Sequence, residues 1–133
     1  MNPRYAAVAR RAGHRCEYCR APEVAFNSPF EVEHVVPTSA GGSDDGANLA
    51  LACRSCNLRK SDATTGRDEQ TGAEVRLFNP REDRWSEHFR VDPDTGMIEA
   101  LTPVGRATLD RLDLNHPLQL AARSVWAKLG LYP

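Results

Sequence analysis

The sequence predicts a small protein of the α+β class. The chain has 133 residues, of which 41% are hydrophobic, enough for a modest core. One segment near residue 30 alternates apolar and acidic side chains, which is typical of a strand. Proline and glycine stand where helices would begin and end, at both ends of the chain. We therefore expect a core in residues 1–62 and an extension in residues 63–133 that packs on it.

The first element is predicted to be a helix. Asn2 can cap it, Pro3 suits its first position, and Gly13 ends it.

A strand is predicted over residues 30–36. Phe30 and Val32 would point to one side, and Glu31 and Glu33 to the other, because strand side chains alternate.

A strand and a helix are predicted to follow. Residues 38–47 are rich in small residues and favour a loop, and residues 48–52 form a second short strand. Residues 54–62 then form a helix, with Leu58 directed inward and Lys60 towards solvent.

The C-terminal extension is predicted to contain a hairpin and two helices. After a polar boundary at residues 63–72, residues 85–91 and 97–101 form the hairpin. Helices follow over residues 102–112 and 115–130. The last helix carries apolar residues at helical spacing, which predicts that it docks on a core: Leu118, Ala121, Ala122, Val125 and Leu129.

Composition excludes several classes of protein. No apolar run is long enough to span a membrane, and residues 1–5 lack the apolar stretch of a signal peptide, so we expect a cytoplasmic protein without a membrane partner. The net charge of −1 argues against binding nucleic acid with the whole surface. That charge is uneven, since residues 1–61 carry +2 and residues 62–133 carry −3.

The four cysteines form two Cys-x2-Cys pairs. Cys16 and Cys19 make the first pair, and Cys53 and Cys56 the second. Four thiolates at this spacing can surround one ion tetrahedrally, which predicts a structural Zn²⁺ site. A redox pair or buried free thiols are the alternatives, but no thioredoxin-like strand–helix unit accompanies either pair.

Groups suited to phosphodiester hydrolysis lie between and beside these cysteines. A neutral imidazole at His34 can accept a proton from water, although an isolated histidine is more often structural. The Glu33 carboxylate and the Asn57 amide oxygen are hard ligands suited to Mg²⁺ or Mn²⁺. Lys60, Arg15 and Arg20 are candidates for contacts with substrate phosphate.

Together these residues resemble the HNH endonuclease family in its variant with four zinc cysteines. The resemblance lies in Glu33-His34-Val35-Val36-Pro37, Asn48-Leu49 and Cys53-x2-Cys56-Asn57-x2-Lys60, within about residues 14–62. It implies the ββα-metal (His-Me finger) fold.

The resemblance also implies roles for individual residues. His34 would be the general base, Asn48 would hold the loop that carries it, and Glu33 and Asn57 would ligate the catalytic divalent ion. Asn57 stands where the family name has histidine, and its amide oxygen favours Mg²⁺ or Mn²⁺. Glu33 and His34 are adjacent, so they can share a site only if the strand ends or bends there.

These observations predict a metal-dependent endonuclease that hydrolyses DNA, most simply double-stranded DNA. The alternatives are a zinc-knuckle module that binds nucleic acid without cleaving it, and a protein-interaction domain with a purely structural zinc ion.

Overall fold

The computed structural model describes residues 1–133 and divides them into two compact units. The first unit comprises Met1–Thr64 and Asn79–Glu82, and the second comprises Thr65–Phe78 and Asp83–Pro133. Both combine short two-stranded antiparallel sheets or hairpins with helices, so the predicted α+β class is confirmed. None of the helices has both the length and the apolar character needed to cross a membrane.

The first unit is built on one β-hairpin, against which two helices pack. Its elements are α1 (Tyr5–Arg11), β1 (Glu31–His34), β2 (Leu49–Ala52) and α2 (Arg54–Lys60). The two strands pair antiparallel, with Glu31 opposite Ala52 and His34 opposite Leu49. Helix α1 packs against both strands, and α2 packs against β1.

Helix α1 begins later than predicted. Asn2 does not cap it; its Oδ1 atom accepts a hydrogen bond from the backbone of Arg4 at 2.8 Å, which forms a turn before the helix. At the other end, Arg11 donates to the backbone oxygens of Gly46 and Leu49 at 2.8 and 2.6 Å. The guanidinium thereby ties α1 to the start of β2.

Three predicted side-chain orientations in this unit are wrong. Glu33, expected on the solvent side of the strand, is only 5% exposed, and Lys60 is only 1% exposed. Each is the other's partner, which makes the burial of both charges tolerable. Leu58, expected inward, is 61% exposed, because the side of α2 that faces β1 carries Cys56, Asn57 and Lys60 instead.

The second unit contains two hairpins and three helices. Its elements are β3 (Thr65–Arg67), β4 (Glu74–Arg76), α3 (Trp85–His88), β5 (Phe89–Val91), β6 (Ile98–Ala100), α4 (Pro103–Leu112) and α5 (Pro117–Lys128). The hairpin β5–β6 and both long helices are confirmed, but residues 85–88, predicted as part of the first strand of that hairpin, form helix α3 instead. The residues before the long helices cap them: Thr102 Oγ1 accepts from the amide of Gly105, and His116 Nδ1 accepts from the amide of Leu118. The hairpin β3–β4 lies where only a polar boundary was predicted.

The predicted docking of α5 through its apolar stripe is wrong. Leu118, Val125 and Leu129 are 77%, 53% and 67% exposed. The helix is oriented instead by Arg123, which is 1% exposed and donates from Nε to the oxygen of Gly96 at 2.7 Å. A buried guanidinium needs hydrogen-bond acceptors, and this requirement determines which side of α5 faces the protein. The side predicted from the apolar residues therefore stays exposed.

Candidate active site and metal centre

The four cysteines form one buried cluster within the first unit. Their Sγ atoms all lie within 4.8 Å of one another, and those of Cys19 and Cys53 are 3.8 Å apart. A tetrahedral Zn²⁺ with Zn–S bonds of about 2.3 Å requires sulfur–sulfur separations of about 3.8 Å. The donor set therefore fits a structural zinc ion.

The thiol pKa values in the cluster are also consistent with a cation site. Hydrogen bonds from Cys16, Cys19 and Cys56 lower the pKa of the Cys53 thiol, whereas those with Cys16 raise the pKa of Cys19 and Cys56. Four thiolates at this distance would repel one another, so full ionisation of the cluster requires a cation between them. Bound zinc removes that repulsion and allows all four to ionise.

The first cysteine pair is attached to β2 through Glu17. Its backbone amide donates to the oxygen of Leu51 at 2.8 Å, and its carboxylate accepts from the amide of Leu51 at 2.8 Å. Arg81 donates to the other carboxylate oxygen. Burial raises the pKa of Glu17, and the hydrogen bond from Leu51 and the charge of Arg81 oppose that rise.

His34 is the last residue of β1 and lies beside a loop carboxylate. Its Nε2 atom is 2.7 Å from Oδ1 of Asp44, and its side chain is 30% exposed. With Asn2, Arg4 and Leu49, these two residues line a cleft of about 310 Å³. A carboxylate can only accept, so the pairing assigns the proton of the neutral ring to Nε2 and leaves Nδ1 as an acceptor.

Asn48 closes the loop that joins His34 to β2. Its Oδ1 accepts from the backbone of Val36 at 2.9 Å, and its Nδ2 donates to the oxygens of Val36 and Ser43 at 2.9 and 2.8 Å. The backbone of Val35 donates to the oxygen of Asn48 at 2.9 Å. A single amide therefore holds both ends of the loop.

Glu33 and Asn57 have different partners. The buried Glu33 carboxylate accepts from the hydroxyl of Tyr18 and lies 3.2 Å from Nζ of Lys60. Burial raises its pKa, although the Lys60 charge and the Tyr18 hydrogen bond act in the opposite direction. Asn57 instead donates from Nδ2 to Glu31, which also contacts Arg54 at 3.2 Å.

The candidate phosphate contacts are placed in two different settings. Lys60 is buried and donates to Glu33 and to the backbone oxygens of His34 and Val35, so its ammonium is directed away from solvent. Arg15 and Arg20 are half-exposed at the first cysteine pair, where Arg15 donates to the oxygen of Arg20 at 3.0 Å.

Three residues that matter at this site were not predicted from the sequence. Tyr18 and Glu31 could have been suspected, since Tyr18 lies between two zinc ligands and Glu31 shares a strand face with Glu33. Asp44 carries no such signal, because an acidic residue in a polar loop is ordinary.

Comparison with known proteins points to one family. A model of the HNH endonuclease family matches residues 16–63, which span both cysteine pairs, β1, β2 and α2. No curated protein and no solved structure matches the chain. The matched segment contains all four clustered cysteines, so residues 16–63 are similar to the HNH endonuclease family in both sequence and candidate metal ligands.

Proposed function

We propose that this protein is a metal-dependent endonuclease that hydrolyses phosphodiester bonds in double-stranded DNA, with His34 as its general base. The observation that carries the proposal is the pairing of His34 with Asp44 at the open end of β1, inside the segment that matches the nuclease family. A histidine kept only for packing would not be expected to line a solvent-accessible cleft with its second ring nitrogen left as an acceptor.

In this proposal each residue has a distinct task. Nδ1 of His34 takes a proton from the attacking water while Asp44 retains the proton at Nε2 and stabilises the imidazolium that forms. Asn48 keeps the loop closed and so keeps His34 in place.

A divalent ion is the expected cofactor, and its donors fit in part. The Asn57 amide oxygen is a suitable hard ligand, because its NH2 group is already committed to Glu31. Glu33 would have to exchange a hydrogen bond from Tyr18 or Lys60 for the metal. When bound, Mg²⁺ or Mn²⁺ stabilises negative charge on the phosphate.

The deciding experiment is plasmid cleavage by the zinc-loaded protein with Mg²⁺ or Mn²⁺, comparing the parent chain with His34→Ala. Loss of the general base should slow cleavage by roughly 10²–10⁴-fold. His116→Asn is the matched control, since it removes a histidine from the second unit but keeps an N-cap acceptor.

The zinc content of each variant is measured alongside. A His34→Ala protein that retains zinc and cleaves as fast as the parent would refute the assignment. DNA binding without cleavage under any divalent ion would favour the non-catalytic zinc-knuckle module instead.

A further inference from the structure

Lys60 forms a buried ion pair with Glu33, the residue that precedes His34 on β1. Their side chains are 1% and 4% exposed, and Nζ lies 3.2 Å from the carboxylate. Burying two charges is costly even when they are paired, so such a pair is poor evidence for stability alone. It calls for another role, and the remaining contacts of the ammonium indicate one.

The Lys60 ammonium also holds two consecutive backbone carbonyls. Nζ is 3.3 Å from the oxygen of His34 and 2.9 Å from the oxygen of Val35. Successive carbonyls of a regular strand point in opposite directions across the ladder, so they cannot both reach one nitrogen. The backbone therefore bends at His34 and Val35, and the ammonium lies on the inner side of that bend.

This bend is where the pairing of the hairpin ends. The ladder closes with His34 opposite Leu49, and the next amide, Val35, donates to the oxygen of Asn48. Asn48 thus holds the bend from the loop side and Lys60 holds it from the α2 side. The direction of the His34 side chain depends on both.

We propose that Lys60 is a positioning residue for His34: its buried ammonium fixes the bend at the end of β1 and thereby sets the place of the imidazole. The proposal rests on the function proposed for His34. It also links the zinc cluster to the active site, because Lys60 lies one helical turn after Cys56 on α2, and Tyr18, between Cys16 and Cys19, holds the other side of Glu33.

The test compares substitutions at the only two lysines of the chain. Lys60→Met removes every hydrogen bond to the bend, and Lys60→Gln keeps an NH2 group that can donate to the two carbonyls. Lys128→Met, on exposed α5, makes the same chemical change without touching the first unit. For each zinc-loaded variant, kcat and KM for plasmid cleavage, the zinc content and the ¹H–¹⁵N resonances of the four histidine rings are measured.

Lys60→Met should lower kcat by about 10- to 100-fold with KM within about twofold, because a displacement on the scale of 1 Å costs that much in a positioned site. The His34 ring resonances should shift while those of His14, His88 and His116 stay in place. Lys60→Gln should recover part of kcat, and Lys128→Met should match the parent.

Two results would overturn the proposal. One is a Lys60→Met protein with full zinc, unshifted His34 resonances and kcat within twofold of the parent. The other is equal loss in the Gln and Met variants that follows loss of zinc, which would make Lys60 a purely structural residue. If Lys60→Met does not bind zinc, Lys60→Gln alone decides, by whether kcat falls and His34 shifts at full zinc occupancy.

The ring resonances separate this proposal from the function on which it rests. If the parent protein does not cleave DNA, the proposed nuclease activity fails, but the His34 shift still shows whether Lys60 determines the position of that ring.

Discussion

The contact between His34 and Asp44 is short but exposed. The Asp44 side chain is 83% exposed and that of His34 is 30% exposed, with 2.7 Å between them. Exposed ion pairs contribute little to stability, because water and salt screen the attraction. In the proposed mechanism its role is therefore to orient the imidazole and to select its tautomer.

Replacing Asp44 should therefore affect catalysis without affecting stability. We expect Asp44→Asn to lower kcat by roughly 10-fold, because an amide can present its NH2 group and stabilise the wrong tautomer. Asp45→Asn removes the same charge from the next residue and serves as the control. Steady-state cleavage and thermal unfolding of both variants test this, and equal kcat values for the two would contradict it.

In the second unit, Asp68 and Arg106 form a bidentate pair that makes stability depend on pH. Arg106 donates from Nε and Nη2 to the two carboxylate oxygens at 2.8 and 3.0 Å. These bonds lower the pKa of Asp68 to about 2. A carboxyl whose pKa is lower in the folded state stabilises the fold fully above its unfolded pKa, near 4, and loses that contribution as the pH falls through 2.

We therefore expect a difference in urea unfolding midpoint between the parent and Asp68→Asn that disappears in acid. At pH 6 the variant should unfold at a clearly lower urea concentration, and by pH 2 the two midpoints should nearly coincide. Tryptophan fluorescence is the appropriate probe, since Trp85 and Trp126 both lie in the second unit. A gap that is constant from pH 6 to pH 2 would show that the carboxylate charge is not involved.

At the scale of residues, sequence spacing was sufficient to predict which groups come together when their placement depends on local geometry. The cysteine pairs met as predicted because each pair is already a knuckle and one ion suits all four thiols. The burial of Glu33 and Lys60 could not be predicted this way. Glu33 is on the acidic side of an alternating strand and Lys60 is a charged helix residue, so both would be expected to face solvent. Their burial depends on a tertiary pairing 27 residues apart along the chain.

At the scale of elements, the loop between β1 and β2 depends on two adjacent glycines with different requirements. Gly41 has φ of +86° and open space around it, so only its backbone conformation is unusual. A Cβ atom on Gly42 would lie 1.7 Å from the oxygen of Val36 and 2.8 Å from Nδ2 of Asn48. The loop closes so tightly on Asn48 that no side chain fits there.

Gly42→Ala should accordingly open the loop and disturb Asn48, destabilising the first unit by roughly 1–3 kcal/mol. Gly41→Asn is the matched control, because asparagine tolerates a positive φ at small cost. Chemical denaturation of the zinc-loaded variants, followed by far-UV circular dichroism, gives the comparison. If the two substitutions have the same effect, the close approach at Gly42 is not what limits the loop.

Elements with strong end signals could be predicted, and those without them could not. Thr102-Pro103 and His116-Pro117 allowed the starts of α4 and α5 to be predicted within two residues, because a cap and a proline act locally. The hairpin β3–β4 was missed, since its strands have three residues each and too little alternation to detect. The buried side of α5 was predicted wrongly because it depends on the hydrogen bond from Arg123 to Gly96, which is distant in the sequence.

At the scale of the whole molecule, the two units depend on different sources of stability. All four cysteines belong to the first unit, whose other buried apolar residues include several small ones: Ala9, Ala21, Ala50 and Ala52. The second unit holds its own apolar core with no cysteine, built from larger side chains: Leu77, Phe78, Phe89, Ile98, Leu112 and Leu114. We therefore expect zinc binding to be coupled to the folding of the first unit only.

Removing zinc should unfold the first unit and leave the second folded. Under reducing conditions with a strong chelator, we expect amide resonances of residues 1–64 to collapse into the unfolded region, while tryptophan fluorescence and the resonances of residues 83–133 stay native. Cys53→Ser, which cannot complete the four-thiolate set, should reproduce this without chelator, and adding Zn²⁺ should restore the parent but not the variant. Joint loss of both sets of resonances at one zinc concentration would instead show that the units fold as a single cooperative system.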